Sequence, residues 1–221
     1  GGTDANSFNL SSDNILTFKE APDYEAKNSY SISLSLTDGT ETVTKSLTIN
    51  VSNVNDNSPI FISYGPYDVA ENQTAIGIVT AADSDGDVVA FTISGTELAI
   101  TSAGILTFVT APDYETKSSY TATITATDGL YAVTQDITVN VTNVNDNSPV
   151  ITSDATFTAA ENQTAIGTVI ATDADGDNIS YSISGNEIEI SSSGVLTFVS
   201  APDYETKTSY TATVTVSDGT N

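Results

Sequence analysis

Residues 143–149 read NVNDNSP, and residues 53–59 read the same seven letters 90 positions earlier. Outward from these two stretches every other motif keeps the same spacing. AENQTAIG stands at 70–77 and 160–167, and DSDGD at 83–87 is answered by DADGD at 173–177. APDYE occurs at 21–25, 111–115 and 201–205, and TDG at 37–39 and 127–129 is matched by SDG at 217–219. A period of 90 is too long for one turn of a solenoid and suits a small domain with its own core. The reading is three beads: 1–57, lacking its opening strands, 58–147, complete, and 148–221, lacking its closing strand. The protein is expected to run past both ends.

Within the beads apolar residues alternate with polar ones at period two, the mark of half-buried strands. Tyr120, Ala122, Ile124 and Ala126 alternate with threonines; Val133, Ile137, Val139 and Val141 follow after the turn at DGLY, with a slip expected near Gln135. Seven strands are predicted in the middle bead, near 61–70, 76–82, 88–94, 97–101, 104–109, 118–127 and 132–142. Short β-rich strands at this density predict an all-β chain of tandem seven-stranded Greek-key sandwiches of the immunoglobulin-like kind. Gly104 and Gly194 precede ILTF and VLTF where a tight turn needs positive φ, and the first bead has Asn14 there.

Composition removes whole classes of function. The 221 residues contain no Cys, His, Met or Trp, and all five basic residues are Lys against 29 Asp and Glu, a formal net charge of −24. Without Cys or His there is no disulfide frame, no imidazole base and no ordinary zinc or copper site. The negative charge argues against nucleic acid and anionic lipid as partners, and no apolar run is long enough for a membrane helix. The carboxylate pair Asp113 and Glu115 recurs in every bead without a cleft-forming insertion, so the chain is read as non-enzymatic.

The acids gather where beads meet. Loops of a Greek-key sandwich collect at its poles, which brings seven carboxylates toward the second junction: Glu71, Asp113, Glu115, Asp146, Asp173, Asp175 and Asp218. The first junction offers Asp23, Glu25, Asp56, Asp83, Asp85 and Asp128. Two unit charges about 4 Å apart repel by roughly 4 kcal/mol at an effective dielectric near 20. Seven such groups splay apart or hold cations. Calcium takes six to eight oxygens from carboxylates and neutral carbonyls, which the linker residues Asn53, Asn55, Asn57, Asn143, Asn145 and Asn147 can supply. Asp87 and Asp177 are additional acids beside these loops. Asn72, Asn162 and Asn178 stand in N-x-[ST] sequons, and Tyr24, Tyr114 and Tyr204 are expected to pack beneath the APDYE loops.

These motifs, in this order, resemble the cadherin family. NVNDNSP is similar to that family's DxNDNxP linker, AENQ to its xEx element, APDYE to its DYE element, DADGD to its DxD loop and TDG to its late xDx element. The resemblance implies up to three Ca²⁺ at each junction. Glu71, Asp113, Glu115 and Asp146, with Asn143 and the Val144 carbonyl, would hold two ions. Asp175 would bridge toward a third, completed by Asp173, Asp218, Asn145 and the Asn147 carbonyl. The linker opens on Asn where the family usually has Asp. Near-identical repeats in an Arg-free acidic chain also resemble bacterial giant surface adhesins of the RTX type.

The implied role is an extracellular, cell-surface extender that calcium makes rigid, with neighbouring repeats of the same chain as partners. Two alternatives stand beside it. One is a homophilic or polysaccharide-binding module, marked by exposed aromatics such as Tyr64, Tyr67, Tyr131 and Phe157. The other is a subunit of an extracellular fibre or sheath.

Overall fold

The computed structural model describes residues 1–63 and 65–221; Tyr64 lies outside the described residues. The chain is all-β, with one 3-10 turn at Ala5–Ser7 as the helical element among them. The first repeat supplies β1 (Phe8–Leu10), β2 (Leu16–Phe18), β3 (Ser29–Thr37) and β4 (Thr42–Asn50). The middle repeat supplies β5 (Ile60–Phe61), β6 (Tyr67–Ala70), β7 (Ala75–Ile78), β8 (Ala81–Ala82), β9 (Ala90–Ile93), β10 (Leu98–Ile100), β11 (Ile105–Phe108), β12 (Ser119–Thr127) and β13 (Ala132–Thr142). The third supplies β14 (Val150–Ile151), β15 (Ala165–Thr168), β16 (Ala171–Thr172), β17 (Ser180–Ile183), β18 (Ile188–Ile190), β19 (Val195–Phe198) and β20 (Val214–Ser217).

Two compact units hold these elements. One comprises Gly1–Tyr67, Ala75–Val109 and Thr121–Thr138, the other Asp68–Thr74, Thr110–Tyr120 and Val139–Asn221. In the first unit, Phe61, Val79, Phe91, Leu98, Leu106, Phe108, Ile124 and Ile137 are buried together with Ala126. The Phe8 ring lies 4.5 Å from Phe18 and 5.7 Å from Tyr30, a smaller aromatic cluster in the first repeat. In the second unit the buried apolar residues are Val69, Val139, Val141, Val169 and Leu196. The sheets run in the orders β10-β11-β7 and β6-β13-β12-β9, and their third-repeat counterparts in the orders β15-β19-β18 and β17-β20.

Two predicted strands are each broken in two. The run near 61–70 becomes β5 and β6, and that near 76–82 becomes β7 and β8. Their halves pair with different neighbours: β5 with β8, β6 beside β13, and β7 with β11. A strand that changes sheets must leave the ladder between them, and Pro66, without an N–H, sits in that gap. Among the described residues the middle repeat therefore has nine strands, two of the seven predicted ones each being split.

The slip expected at Gln135 is absent. Burial alternates without interruption along Val133, Gln135, Ile137, Val139 and Val141. Gln135 takes an inward place because its amide Nε2 donates to the Ser63 carbonyl at 3.2 Å. Gly104 has φ +86° and Gly194 φ +79°, as the turn requires. A Cβ on Gly104 would lie 2.1 Å from the Val79 carbonyl oxygen, so space as well as φ selects glycine. Asn14, at φ 62°, is exposed.

Candidate metal centre

In the first unit the linker wraps one aspartate. Asp85 is buried, and its Oδ2 accepts the N–H groups of Asp56 at 3.0 Å and Asn57 at 2.8 Å. Its Oδ1 accepts the Asn57 side-chain amide at 2.8 Å, and its main-chain carbonyl accepts Asn53 Nδ2 at 2.7 Å. The DxDGD loop exists to present this group: Gly86 turns the chain at φ +81°, and Asp85 N–H is tied to Asp83 Oδ1 at 2.9 Å. Burial pushes the Asp85 carboxyl up, but the Asn57 and Asp56 donors outweigh it and hold the group below the usual carboxylate range. Glu25 is pushed the other way, by desolvation first and then by the Asp85 and Asp23 charges. Carboxylate oxygens of Glu25, Asp56 and Asp85 lie within 4.8 Å of one another, as do those of Asp83, Asp85 and Asp87.

The second unit repeats the arrangement. Asp175 Oδ2 accepts Asp146 N–H at 3.0 Å and Asn147 N–H at 2.8 Å, its Oδ1 accepts the Asn147 amide at 2.8 Å, and its carbonyl accepts Asn143 Nδ2 at 2.8 Å. The Asn147 amide is the chief reason the Asp175 carboxyl titrates low. Glu71 is only 4% exposed; Oε1 accepts Val144 N–H at 2.8 Å and Oε2 accepts Tyr114 N–H at 2.7 Å. Carboxylate oxygens of Glu71, Asp113 and Glu115 cluster within 4.8 Å, and so do those of Glu115, Asp146 and Asp175. Glu115 thus links two triads, and desolvation, then the Glu71, Asp175 and Asp113 charges, raise its carboxyl.

The most informative atoms are the ones left over. Asp128 Oδ1 caps its hairpin by accepting Leu130 and Tyr131 N–H, both at 2.7 Å, while Oδ2 is buried without a partner. Asp83 Oδ2 and Asp173 Oδ2 are buried and unpartnered too, their Oδ1 atoms accepting Asp85 N–H at 2.9 Å and Asp177 N–H at 3.2 Å. Asn55 Oδ1 is a fourth such oxygen. Buried oxygens without donors are costly, and an oxygen-seeking cation relieves that cost. At the second linker a donor does converge. Asn221 Nδ2 reaches Asn145 Oδ1 at 3.0 Å, Asp218 Oδ2 at 3.3 Å and the Asn147 carbonyl at 3.4 Å. Its NH₂ thus lies within 3.4 Å of three oxygens that the family resemblance implies for a third ion. The donors are all hard oxygens, the set calcium prefers, so the residues present fit that ion.

Asp23 Oδ1 accepts Ala26 N–H at 3.0 Å, capping the APDYE turn, as Asp113 Oδ1 accepts Thr116 N–H at 3.1 Å. Several expectations are corrected. Tyr114 and Tyr204 are exposed, the latter by 64%, and do not pack beneath the loops. The Tyr67 ring lies against Gly77, Phe157 crowds Gly167, and neither is exposed; Tyr131 is the exposed one of the described aromatic candidates. Asn72 was legible only as a sequon. It holds a left-handed φ of 64°, donates its N–H to the Pro112 carbonyl at 3.0 Å and its amide to Asp146. The recurrence of Asn directly after the motif glutamate, at 72 and 162, was the available signal.

This fold and these acidic poles define an immunoglobulin-like sandwich protein. The family described as bacterial Ig domain matches residues 145–221. Human protocadherin-15 is 31% identical over 202 residues, 82% of this chain and 10% of its own length. Human protocadherin Fat 4 is 42% identical over 127 residues, 51% of this chain and 2% of that protein. The protocadherin gammaB4 extracellular domain superposes with a TM-score of 0.72 at 24% identity, covering 95% of this chain and 38% of that one. Human CDH23 EC21-23 gives 0.72 at 24%, covering 92% and 74%. These solved structures carry the fold; the sequence relatives carry the kinship, although the chain spans a tenth or less of those two. The chain is built of cadherin-like domains, extracellular modules of cell-surface proteins. The matches indicate no enzymatic family, and no described helix is long and apolar enough to cross a membrane.

Proposed function

We propose that the chain is a calcium-dependent extender in a large cell-surface adhesin, with 1–57, 58–147 and 148–221 as successive domains. The observation that carries this reading is the set of buried, partnerless oxygens on Asn55, Asp83, Asp128 and Asp173, set among the carboxylate triads at two linkers 90 residues apart. Glu25, Asp56 and Asp85 would hold ions at the first junction, and Glu71, Asp113, Glu115, Asp146 and Asp175 at the second. Asp83, Asp128 and Asn55, or Asp173, Asp218, Asn145 and the Asn147 carbonyl, would hold the outer ion. Up to three Ca²⁺ contribute six positive charges against seven carboxylates at the second junction, a near neutralisation. Bound calcium would supply the positive charge that lets linker and pole carboxylates stay together, fixing the angle between repeats.

Adhesion as the biological role is supported by the cadherin kinship. A bacterial origin is supported by the bacterial Ig-domain match and the Arg-free, near-identical repeats. Extracellular calcium modules bind at roughly 10⁻⁴–10⁻³ M, so such a rod is ordered outside cells. Small-angle scattering in millimolar Ca²⁺ and in chelator tests the reading. The expected result is a longer, narrower distance distribution with calcium; an unchanged maximum dimension overturns it.

A further inference from the structure

Each oxygen of Asp175 is taken by the linker. Oδ2 receives the Asp146 and Asn147 N–H groups, Oδ1 the Asn147 amide, and the main-chain carbonyl the Asn143 amide at 2.8 Å. Ninety residues earlier Asp85 is held in the same way, its carbonyl receiving Asn53 Nδ2 at 2.7 Å. Three of the four donors belong to residues 146 and 147, or 56 and 57. The fourth depends on the first letter of NVNDNSP alone.

That fourth bond has a chemistry of its own. The accepting carbonyl stands in the DxDGD turn, between β8 and β9 or β16 and β17, just before a glycine at φ +81°. A turn carbonyl needs a donor from outside the strand ladders. An Asn amide brings NH₂, whereas a carboxylate of the same shape would set oxygen against oxygen at the same 2.8 Å. An Asp at 143 would therefore lose the bond and add a further carboxylate to the seven around the second linker. Calcium affinity is tuned by ligand charge, but crowded carboxylates repel when no ion is bound. The two demands on position 143 are opposed, and the amide answers the one that holds without an ion.

We propose that Asn53 and Asn143 are calcium-independent locks, which keep the linker on the DxDGD loop when the ion site is empty and hold the calcium affinity of that site down. The part of the site built on Asp175 stays assembled in chelator, so a returning ion meets oxygens already in place. The effect on affinity rests on the extender reading above; the lock does not.

Two variants of the full chain test it, and Asn143 is exposed, so neither disturbs a core. Asn143→Ala removes the donor without adding charge; Asn143→Asp removes the donor and adds a carboxylate. In chelator, amide exchange at Asp146 and Asn147 should quicken about fivefold in both variants, the effect of one lost hydrogen bond, while the β12 and β13 amides keep their protection. By titration calorimetry Asn143→Asp should bind calcium about tenfold more tightly than wild type, and Asn143→Ala no more tightly. One substitution thus loosens the empty site and tightens the filled one, which loss of a merely structural contact would not do. Unchanged exchange at Asp146 and Asn147 in Asn143→Ala overturns the lock. Asn143→Asp binding no tighter than wild type overturns the assigned effect on affinity. A wild type that takes up no calcium at this linker overturns the extender reading and that effect with it, and the chelator arm still decides the lock.

Discussion

The middle and third repeats carry nearly the same letters and do different things with them. Tyr67–Ala70 is a strand, whereas 157–160 is not. Glu71 is buried and accepts two main-chain N–H groups; Glu161, in the same AENQ motif, is exposed and accepts one, from Tyr204 at 3.1 Å. Phe108 is buried, and its counterpart Phe198 is half-buried. What distinguishes the two settings is β13 and the linker after it, whose 90-residue counterparts would begin at position 222, beyond the 221 residues of the sequence. A strand at this edge of the sheet is made by its neighbour more than by its own β-propensity, and so is a buried carboxylate. The registers that do not depend on β13 are preserved: Ala90 faces Thr127 in β9 and β12, and Ser180 faces Ser217 in β17 and β20.

The largest effect that sharpens this comparison is in the core. Ile124 is fully buried, and its equivalent Val214 is not. Ile124→Ala should cost about 2–4 kcal/mol of unfolding free energy, as for other fully buried aliphatic truncations. Val214→Ala should cost less, about 1 kcal/mol, since Val214 is only half-buried and loses fewer close contacts than a fully enclosed side chain. Urea unfolding in chelator, read at each repeat by amide exchange, separates the two; equal losses would break the comparison.

Next come the motif glutamates. Glu71→Ala leaves the Tyr114 and Val144 N–H groups without an acceptor, a loss of about 1–3 kcal/mol. Glu161→Ala should fall within about 0.5 kcal/mol, like other surface changes. Amide exchange in chelator is the direct check: Tyr114 and Val144 should lose protection in the first variant, and Tyr204 should change little in the second.

Much of this was legible from one sequence because it is local. The ladder strands β12 and β13 fall within one residue of where alternation put them, and Gly104, Gly194 and Asn14 hold the positive φ that their turn demands. The acids of the linker and the DxDGD loop were legible as a cluster because their spacing repeats. The illegible parts depend on distant pairing. Nothing in residues 60–70 says that β5 belongs to β8 and β6 to β13, so the break between them cannot be read locally. Asn72 reaches Asp146 across 74 residues. The division of labour inside one carboxylate, with Asp128 Oδ1 closing a turn and Oδ2 left over, is a matter of orientation that residue type does not encode.

The smallest effect concerns pH, and two acids of one cluster should respond with opposite sign. Asp175 titrates below its ordinary value because the Asn147 amide and the Asn147 and Asp146 N–H groups favour its anion. Its contribution to stability is present above the unfolded value, near 3.8, and is lost as pH falls through the lower folded one. Glu115 titrates above its ordinary 4.5 because desolvation and the neighbouring Glu71, Asp175 and Asp113 charges disfavour its anion. The folded state therefore binds a proton there that the unfolded chain has released, and stability falls as pH rises through that window. In chelator, Glu115→Gln should flatten the decline above pH 4.5, and Asp175→Asn should flatten the loss below 3.8. In millimolar Ca²⁺ the first result should reverse, because the repulsion that Glu115 suffers without an ion is the attraction that holds one, and Glu115→Gln should bind calcium more weakly than wild type by titration calorimetry. A Glu115→Gln chain stabilised equally in both buffers would show that the carboxylate is crowded for some reason other than a cation.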